Sequence, residues 1–367
     1  MKKLAIIGGG IIGLTLANYI DLTKYQVTLY DNPIGQATKA SAGIISPWLS
    51  KRRNKKWYQL AKDGAAFYPK LIQDFALPND VYQQTGTLIL RKDGELEQLK
   101  QLAEERKQAA PEIGDIQLLA AQQVSEKLPL LKKAPALFIT GGGKLDGANY
   151  LKTLQQRALQ RDITLKTGSV RLSKRSDKWL VSLAEKNESF DMIALCSGAG
   201  LPTLLEDLDY KTDIRPQKGQ LLAFETPFKE SGNWPVAMLD GESDLIPFQN
   251  GQILIGATHE NDGGFDLTPT ESAFAHLKEK TVPFLTSSTF FEDYSANFRV
   301  GTRAYTSDFA PFFNCLPDDQ TAVAASGLGS SGLTTGPYIG YLLATYFNDS
   351  KTDWEDYQKP IDTYLSK

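Results

Sequence analysis

Cysteine and histidine are scarce in this chain of 367 residues: Cys196 and Cys315, His259 and His276 are all there are. The cysteines lie far apart and form no CxxC or CxxH spacing, which excludes a zinc ribbon and a disulfide scaffold. Two histidines leave too few ligands for a histidine-based metal centre, so no metal is expected. An excess of either charge is also missing, with 40 Lys+Arg against 43 Asp+Glu and a net charge of −3. A nucleic-acid partner would call for a basic excess to replace the counterions condensed on phosphates, and is not expected. No apolar run reaches the ~18 to 20 residues of a spanning helix. Met1 to Ile7 has the outline of a secretory leader, but Gly8-Gly9-Gly10 interrupts the apolar run, and Asp21 and Lys24 come soon after with no small-residue cleavage site between. The expectation is a soluble cytoplasmic protein without stable membrane insertion. At roughly 100 to 200 residues per domain the length predicts two domains. Chemistry is left to an organic cofactor, a charged side chain or the backbone.

Glycine, by contrast, is placed with purpose. Lys3 to Ile7 reads as a strand buried on both faces, running into Gly8-Gly9-Gly10-Ile11-Ile12-Gly13; Leu14 to Ile20 is apolar at helical spacing, and Gln26 to Tyr30 reads as a second strand ending in Asp31. In this G-x-G-x-x-G, Gly8 permits the tight turn, Gly10 lets the backbone approach a pyrophosphate, and Gly13 lets the helix lie close on the sheet. The helix N-terminus offers free N–H groups to the phosphates. Asp31, placed to accept hydrogen bonds from an adenosine ribose, favours FAD or NAD over NADP.

The segment beyond Asp31 separates FAD from NAD. Gly35 to Ser46, GQATKASAGIIS, is a small-residue stretch suited to close passage of a large ligand, where a nicotinamide enzyme would continue its regular strand and helix alternation. The stretch resembles the loop after the second strand in the D-amino-acid oxidase and glycine oxidase superfamily of FAD enzymes. Arg215-Pro216-Gln217-Lys218-Gly219-Gln220 is similar to the superfamily's P-x-K/R-G-Q entrance to the substrate domain, Gln252 to Glu260 to its I-G-A-T strand, and Thr321 to Thr335 to its closing strand and glycine loop. The resemblance implies an α/β (α+β overall) fold: a Rossmann-like FAD-binding domain from 1–80, 146–214 and 300–367, and a substrate domain on a mostly antiparallel sheet from 81–145 and 215–299.

It also implies where FAD is held. Around the first turn the residues are Gly8, Gly10, Ile11, Ile12 and Gly13, with Asp31 and Asn32 at the end of the second strand. The next loop supplies Thr38, Lys39, Ala40, Ser41, Ala42, Gly43 and Ile44. Val170 is expected at the adenine, with Ser197 and Gly198 at the end of another apolar strand. Gly327, Gly329, Ser330, Ser331, Gly332, Leu333 and Thr334 would meet the flavin before a helix read over Pro337 to Phe347. That helix N-terminus would favour negative charge on the reduced ring. Cys196 reads as a small buried hydrophobe.

For the substrate, Gly301 to Pro311 resembles the family's G-x-R-P-x-T-x-D-x-x-P, whose arginine clamps a carboxylate; Arg303 stands there, with Ala304 in place of proline, and it also falls within reach of the cofactor. Arg299 is a nearby competitor. His259 comes directly after the I-G-A-T strand and is a candidate for catalysis or substrate binding. Asp244 occupies the place of a substrate-contacting tyrosine in glycine oxidases and is suited to an ammonium group, and Ser330 replaces their arginine. Trp48 is a further substrate-side candidate. The covalently flavinylated sarcosine oxidases carry cysteine where this chain has Arg303, so FAD is expected to be non-covalent; Leu254 stands where they use a lysine for oxygen, leaving oxygen or another electron acceptor open. Lys51 to Lys56 is a basic run, read either as a solvated helix start or as a charged lip attracting carboxylates. The expected activity is oxidation of the C–N bond of an amino acid or secondary amine. The competing readings are a 2-hydroxy-acid dehydrogenase, action on a modified RNA base and a non-catalytic flavin sensor. Oligomerisation is left open.

Overall fold

In the computed structural model, which describes residues 1–52, 54–92, 94–241, 243–352 and 354–367, the strand Lys2–Ile7 lies deep in a six-stranded sheet. Its order is Phe312–Leu316, Asp319–Ser326, Met192–Leu195, Lys2–Ile7, Tyr25–Asp31, Thr164–Thr167, all parallel except the first. Leu4, Ala5 and Ile6 are fully buried, which explains an apolar run without alternation: both faces of a parallel sheet are covered. The helix Ile11–Tyr19 makes the crossover between the first two parallel strands.

A second helix, Gly332–Asp349, packs on the first because Gly336 and Gly340 carry no side chain at the crossing. A Cβ on Gly340 would stand 2.7 Å from Thr15 Cβ, and one on Gly336 2.5 Å from Ile11 Cγ2. The close approach brings both helix N-termini to one end of the sheet. Here the expected start at Pro337 is corrected, since the helix begins five residues earlier and contains the proline. Pro337 has no N–H for the carbonyl of Leu333, four residues back; the Tyr68 hydroxyl donates to that carbonyl at 2.7 Å instead, so the helix runs on.

The second sheet has eight strands in the order Ala296–Tyr305, Arg215–Glu225, Gln252–Gly256, Asp244–Pro247, Val236–Met238, Thr87–Ile89, Ala136–Ile139, Ile116–Leu119, with one parallel pair and the rest antiparallel. The fold is therefore α/β in one part and mostly antiparallel in the other, as the sequence implies. Ala296–Tyr305 pairs along its length with Arg215–Glu225, so residues 300–305, expected on the cofactor side, form an edge strand of the eight-stranded sheet. A three-stranded meander, Val170–Arg175, Lys178–Leu183 and Lys186–Phe190, was not foreseen; its two tight returns at Ser176 and Ala184 use positive φ without glycine, which hides them in the sequence. Among the described residues no helix is long and apolar enough to cross a membrane.

Candidate active site

A cavity of about 630 Å³ lies between the two sheets. One end is built from backbone. The N-terminus of Ile11–Tyr19 opens there, with the Ile11 N–H donating to Thr38 Oγ1 at 3.2 Å and no cap from Gly10, and that of Gly332–Asp349 opens there without a side-chain cap, so each turns the positive end of its dipole to the cavity. A Cβ on Gly10 would meet only Thr38 Oγ1, at 3.7 Å, because that direction is cavity. Gly13 is needed for a different reason, since its Cβ would fall 1.9 Å from the Gly8 carbonyl oxygen. Asp31 accepts from the Gly9 N–H at 2.8 Å and from Gln36 Nε2 at 2.8 and 3.0 Å, which holds its carboxylate at the end of the second strand.

The predicted residues divide cleanly. Gly8, Gly10, Ile11, Ile12, Asp31, Asn32, Thr38, Ala40 to Ile44, Val170, Ser197, Gly198, Gly329, Ser330, Gly332 and Leu333 all line the cavity, together with Arg303, His259 and Asp244. Gly13, Lys39, Gly327, Ser331, Thr334 and Trp48 do not. Ser331 Oγ is engaged elsewhere, donating to the Leu328 carbonyl and accepting from Trp57 Nε1. Gly327 serves the turn, with φ +78° and Ala310 O against it. Trp48 is buried in the core with its Nε1 on Glu112, so it is withdrawn from the substrate side. Gly9 and Gln36 were missed: the third glycine of the run was signal for the first, and nothing in the sequence marked the second.

The other end is built from side chains. Arg303 Nη1 donates to Gln217 Oε1 at 3.0 Å and to the Thr258 carbonyl at 2.9 Å, and among the described residues no carboxylate forms an ion pair with the guanidinium. Burial lowers its pKa, with Tyr305 and Glu260 opposing. A Cβ on Gly219 would stand 2.6 Å from that guanidinium, so glycine there makes room for the arginine. Asp244 faces the cavity from the strand Asp244–Pro247; burial pushes its carboxyl up to about 7 against the pull of Arg91 and the Leu239 N–H. His259 is exposed on the cavity side and His276 is exposed on its helix. Arg299 turns elsewhere, pairing with Asp146 at 3.7 Å and donating to Gln252. Cys196 is a buried thiol raised by desolvation to about 12, consistent with a packing role. Leu254 is fully buried and does not line the cavity.

Two helix N-termini turned to the cavity, a carboxylate at the second strand and an open face at Gly10 define a dinucleotide-binding fold. The buried Ser197 Oγ, which lines the cavity and has no partner among the described residues, adds a donor for a polar ligand. The family described as FAD dependent oxidoreductase (DAO) matches residues 3–346, and the chain belongs to it. The oxidoreductase YurR of Bacillus subtilis is 34% identical over 364 residues, covering 96% of each chain. The glycine oxidase of Pseudomonas putida is 26% identical, covering 92% of each. The crystal structure of an iminodiacetate oxidase from a Chelativorans species superposes with a TM-score of 0.90 at 26% identity, covering 98% of each chain. The protein is an FAD-dependent oxidoreductase, and the backbone-built end of the cavity fits that cofactor.

Proposed function

We propose that the protein oxidises the C–N bond of an amine that carries a carboxylate, an amino acid or a secondary amine. The observation that carries this reading is Arg303, a guanidinium facing the cavity whose hydrogen-bond acceptors, Gln217 Oε1 and the Thr258 carbonyl, are neutral and whose two-pronged donor face suits a carboxylate. When bound, FAD supplies the hydride acceptor. Everything else asked of the chain is orientation. Arg303 fixes the carboxylate, and with it the carbon that loses hydride. Asp244 takes the ammonium side; as a carboxylate it attracts the amine and accepts its proton, leaving the lone pair free to form the C=N bond as hydride departs. Water then adds to the imine and the C–N bond breaks, giving a 2-oxo acid or aldehyde and the free amine. Asp244 favours an amine over a 2-hydroxy acid, whose hydroxyl offers no charge to meet it. The names of the relatives, glycine oxidase and iminodiacetate oxidase, point the same way. We place the Rossmann-like half around FAD and the eight-stranded sheet over the substrate, with FAD held non-covalently.

The test is anaerobic mixing of the yellow holoenzyme with D-amino acids, N-methyl amino acids and 2-hydroxy acids, followed by admission of oxygen. Amines should bleach the flavin and hydroxy acids should not. Arg303→Ala should weaken carboxylate substrates by about 100-fold, the loss of a bidentate charged pair, while flavin content is retained. Flavin untouched by every amine would overturn the proposal.

A further inference from the structure

We propose that a loop of the eight-stranded half, residues 261–268, belongs to the cofactor site, and that Phe265 and Leu267 on it close with Ile34 over the adenosine half of FAD. The inference rests on FAD occupying the cavity and not on the identity of the amine. Ile34 is 74% exposed and Phe265 59%, and both line the cavity. One exposed apolar side chain is ordinary, but two bordering one cavity mark a surface that a ligand covers. Leu267 stands with them, since a Cβ on Gly35 would lie 3.2 Å from its Cδ2. The basic run from Lys51 to Lys56 does not supply a charged lip here: none of its described residues lines the cavity, and Arg53 lies outside the described residues.

The loop is pinned along the strand Arg215–Glu225. Just before it, Glu260 and Lys218 exchange backbone hydrogen bonds at 3.0 and 3.1 Å. Just after it, the Gln220 amide donates to Thr270 Oγ1 at 2.9 Å and accepts from the Thr270 N–H at 3.1 Å. Between these anchors the buried Lys218 ammonium donates to Asp266 Oδ2 at 2.8 Å and to the Thr268 carbonyl at 2.6 Å, which holds the Asp266 carboxyl well below the usual carboxylate range. Gly263 leaves room for the lysine stem, since a Cβ there would lie 2.6 Å from Lys218 Cβ. Asp266 thus turns to Lys218, while Phe265 and Leu267 on either side of it turn to the cavity.

What the loop faces is the Asp31 end of the cavity. Thr302 ties it there, donating from its N–H to the Gly35 carbonyl at 3.0 Å and from its hydroxyl to the Gly264 carbonyl at 3.4 Å. Gln36, next in the chain, gives its Nε2 to the Asp31 carboxylate, and its Oε1 is buried with no hydrogen-bond partner among the described residues. A buried acceptor of that kind calls for a donor such as a hydroxyl. The carboxylate at the end of the second strand is where an adenosine ribose is received, and a ribose brings two hydroxyls, one for Asp31 and one for Gln36. The base attached to that ribose has flat apolar faces, which suit an aromatic ring and two branched aliphatic chains. The charged amine belongs at the other end, with Arg303 and Asp244. The loop follows directly on Thr258, whose carbonyl receives Arg303, so the half of the molecule that meets the substrate also grips the cofactor.

Chymotrypsin digestion of the full chain with FAD bound and after its removal, with the cut bonds identified by mass spectrometry, tests this. Phe309 is the internal control, being 47% exposed but outside the cavity lining. FAD should slow cleavage after Phe265 about tenfold more than cleavage after Phe309. Phe265→Ala should release FAD from the holoenzyme about tenfold faster, read by flavin fluorescence, the loss of one contact between an aromatic ring and a base. Its apoprotein should unfold as the wild type does, because the side chain is exposed. Phe265→Tyr should restore slow release, and Ile34→Ala should cost a few-fold. FMN, which has no adenosine, should bind the wild type and Phe265→Ala alike. Equal protection of the two phenylalanines, unchanged FAD release from both alanine variants, or equal weakening of FMN and FAD would each overturn the loop's part in the cofactor site. None of these readouts involves a substrate, so flavin left unbleached by every amine overturns the C–N reading alone.

Discussion

The two ends of the cavity are made differently. At the Gly8–Gly13 end the working groups are backbone N–H groups and missing side chains, supplied by two local turns, Gly8–Gly13 and the start of Gly332–Asp349, each contiguous in sequence. At the Arg303 end they are charged side chains on strands far apart in sequence: Arg303 beside Gln217, and Asp244 opposite Gly256. A dinucleotide asks for shape and a dipole, which local chain geometry can provide. A small carboxylated amine asks for charges at chosen separations, which only tertiary pairing provides. The first end should therefore be sensitive to added atoms, and the second to changed charge.

The largest effect expected is at Gly13. An alanine Cβ 1.9 Å from the Gly8 carbonyl forces helix and strand apart, and Gly13→Ala should destabilise the chain by about 3 kcal/mol in denaturant unfolding and remove the flavin with it. Gly10→Ala sharpens the point. Its backbone is extended, its Cβ meets only Thr38 Oγ1 at 3.7 Å, and the apoprotein should unfold as the wild type does, yet it should lose flavin. If both variants lost stability equally, the distinction between a packing glycine and a cofactor-facing glycine would be gone.

Asp31 comes next. Asp31→Ala removes the carboxylate that receives the Gly9 N–H and Gln36, and FAD affinity measured by flavin fluorescence should fall about tenfold. Unchanged affinity would mean that the carboxylate serves the turn alone.

These contrasts explain what the sequence could disclose. The strand, turn, helix and acid of residues 3–31 are contiguous, so periodicity and glycine spacing locate them. Parallel strands buried on both faces announce themselves as unbroken apolar runs. The helix over Gly332–Asp349 reads short under a rule that is locally sound, since proline removes a donor; the tertiary donor from Tyr68 lies 265 residues away and leaves no local trace. Trp48 reads as a substrate-side residue because it comes just after the cofactor loop, whereas its partner Glu112 belongs to a distant turn. Arg52 is the opposite case: as one of five basic residues it resembles solvated surface, and only the fold shows that it stacks on Trp57 and reaches Ser330.

The smallest effect, and the most specific to the charged end, is a dependence on pH. Asp244 has its carboxyl raised to about 7 from an ordinary 3.8 by burial. Between those values the folded chain keeps a proton that the unfolded chain has lost. The resulting stabilisation is complete below about pH 4, declines as pH rises and is lost by about pH 7, with a slope of at most about 1.4 kcal/mol per pH unit and less because the cavity admits water. Carboxylates such as Asp308 and Asp319, held low by lysine and hydrogen bonds, run the other way: their contribution is present at neutral pH and lost as pH falls. The whole curve therefore mixes signs, but the difference between the wild type and Asp244→Asn isolates one group. That difference should move in favour of the variant as pH rises from 4 to 7 in thermal unfolding at each pH. Over the same interval amine substrates should bind the wild-type holoenzyme progressively better, since an ionised Asp244 is what meets the ammonium, and the variant should show no such rise. A flat difference in unfolding would mean that water entering the cavity already solvates this carboxylate, and that the charged end is set by Arg303 alone.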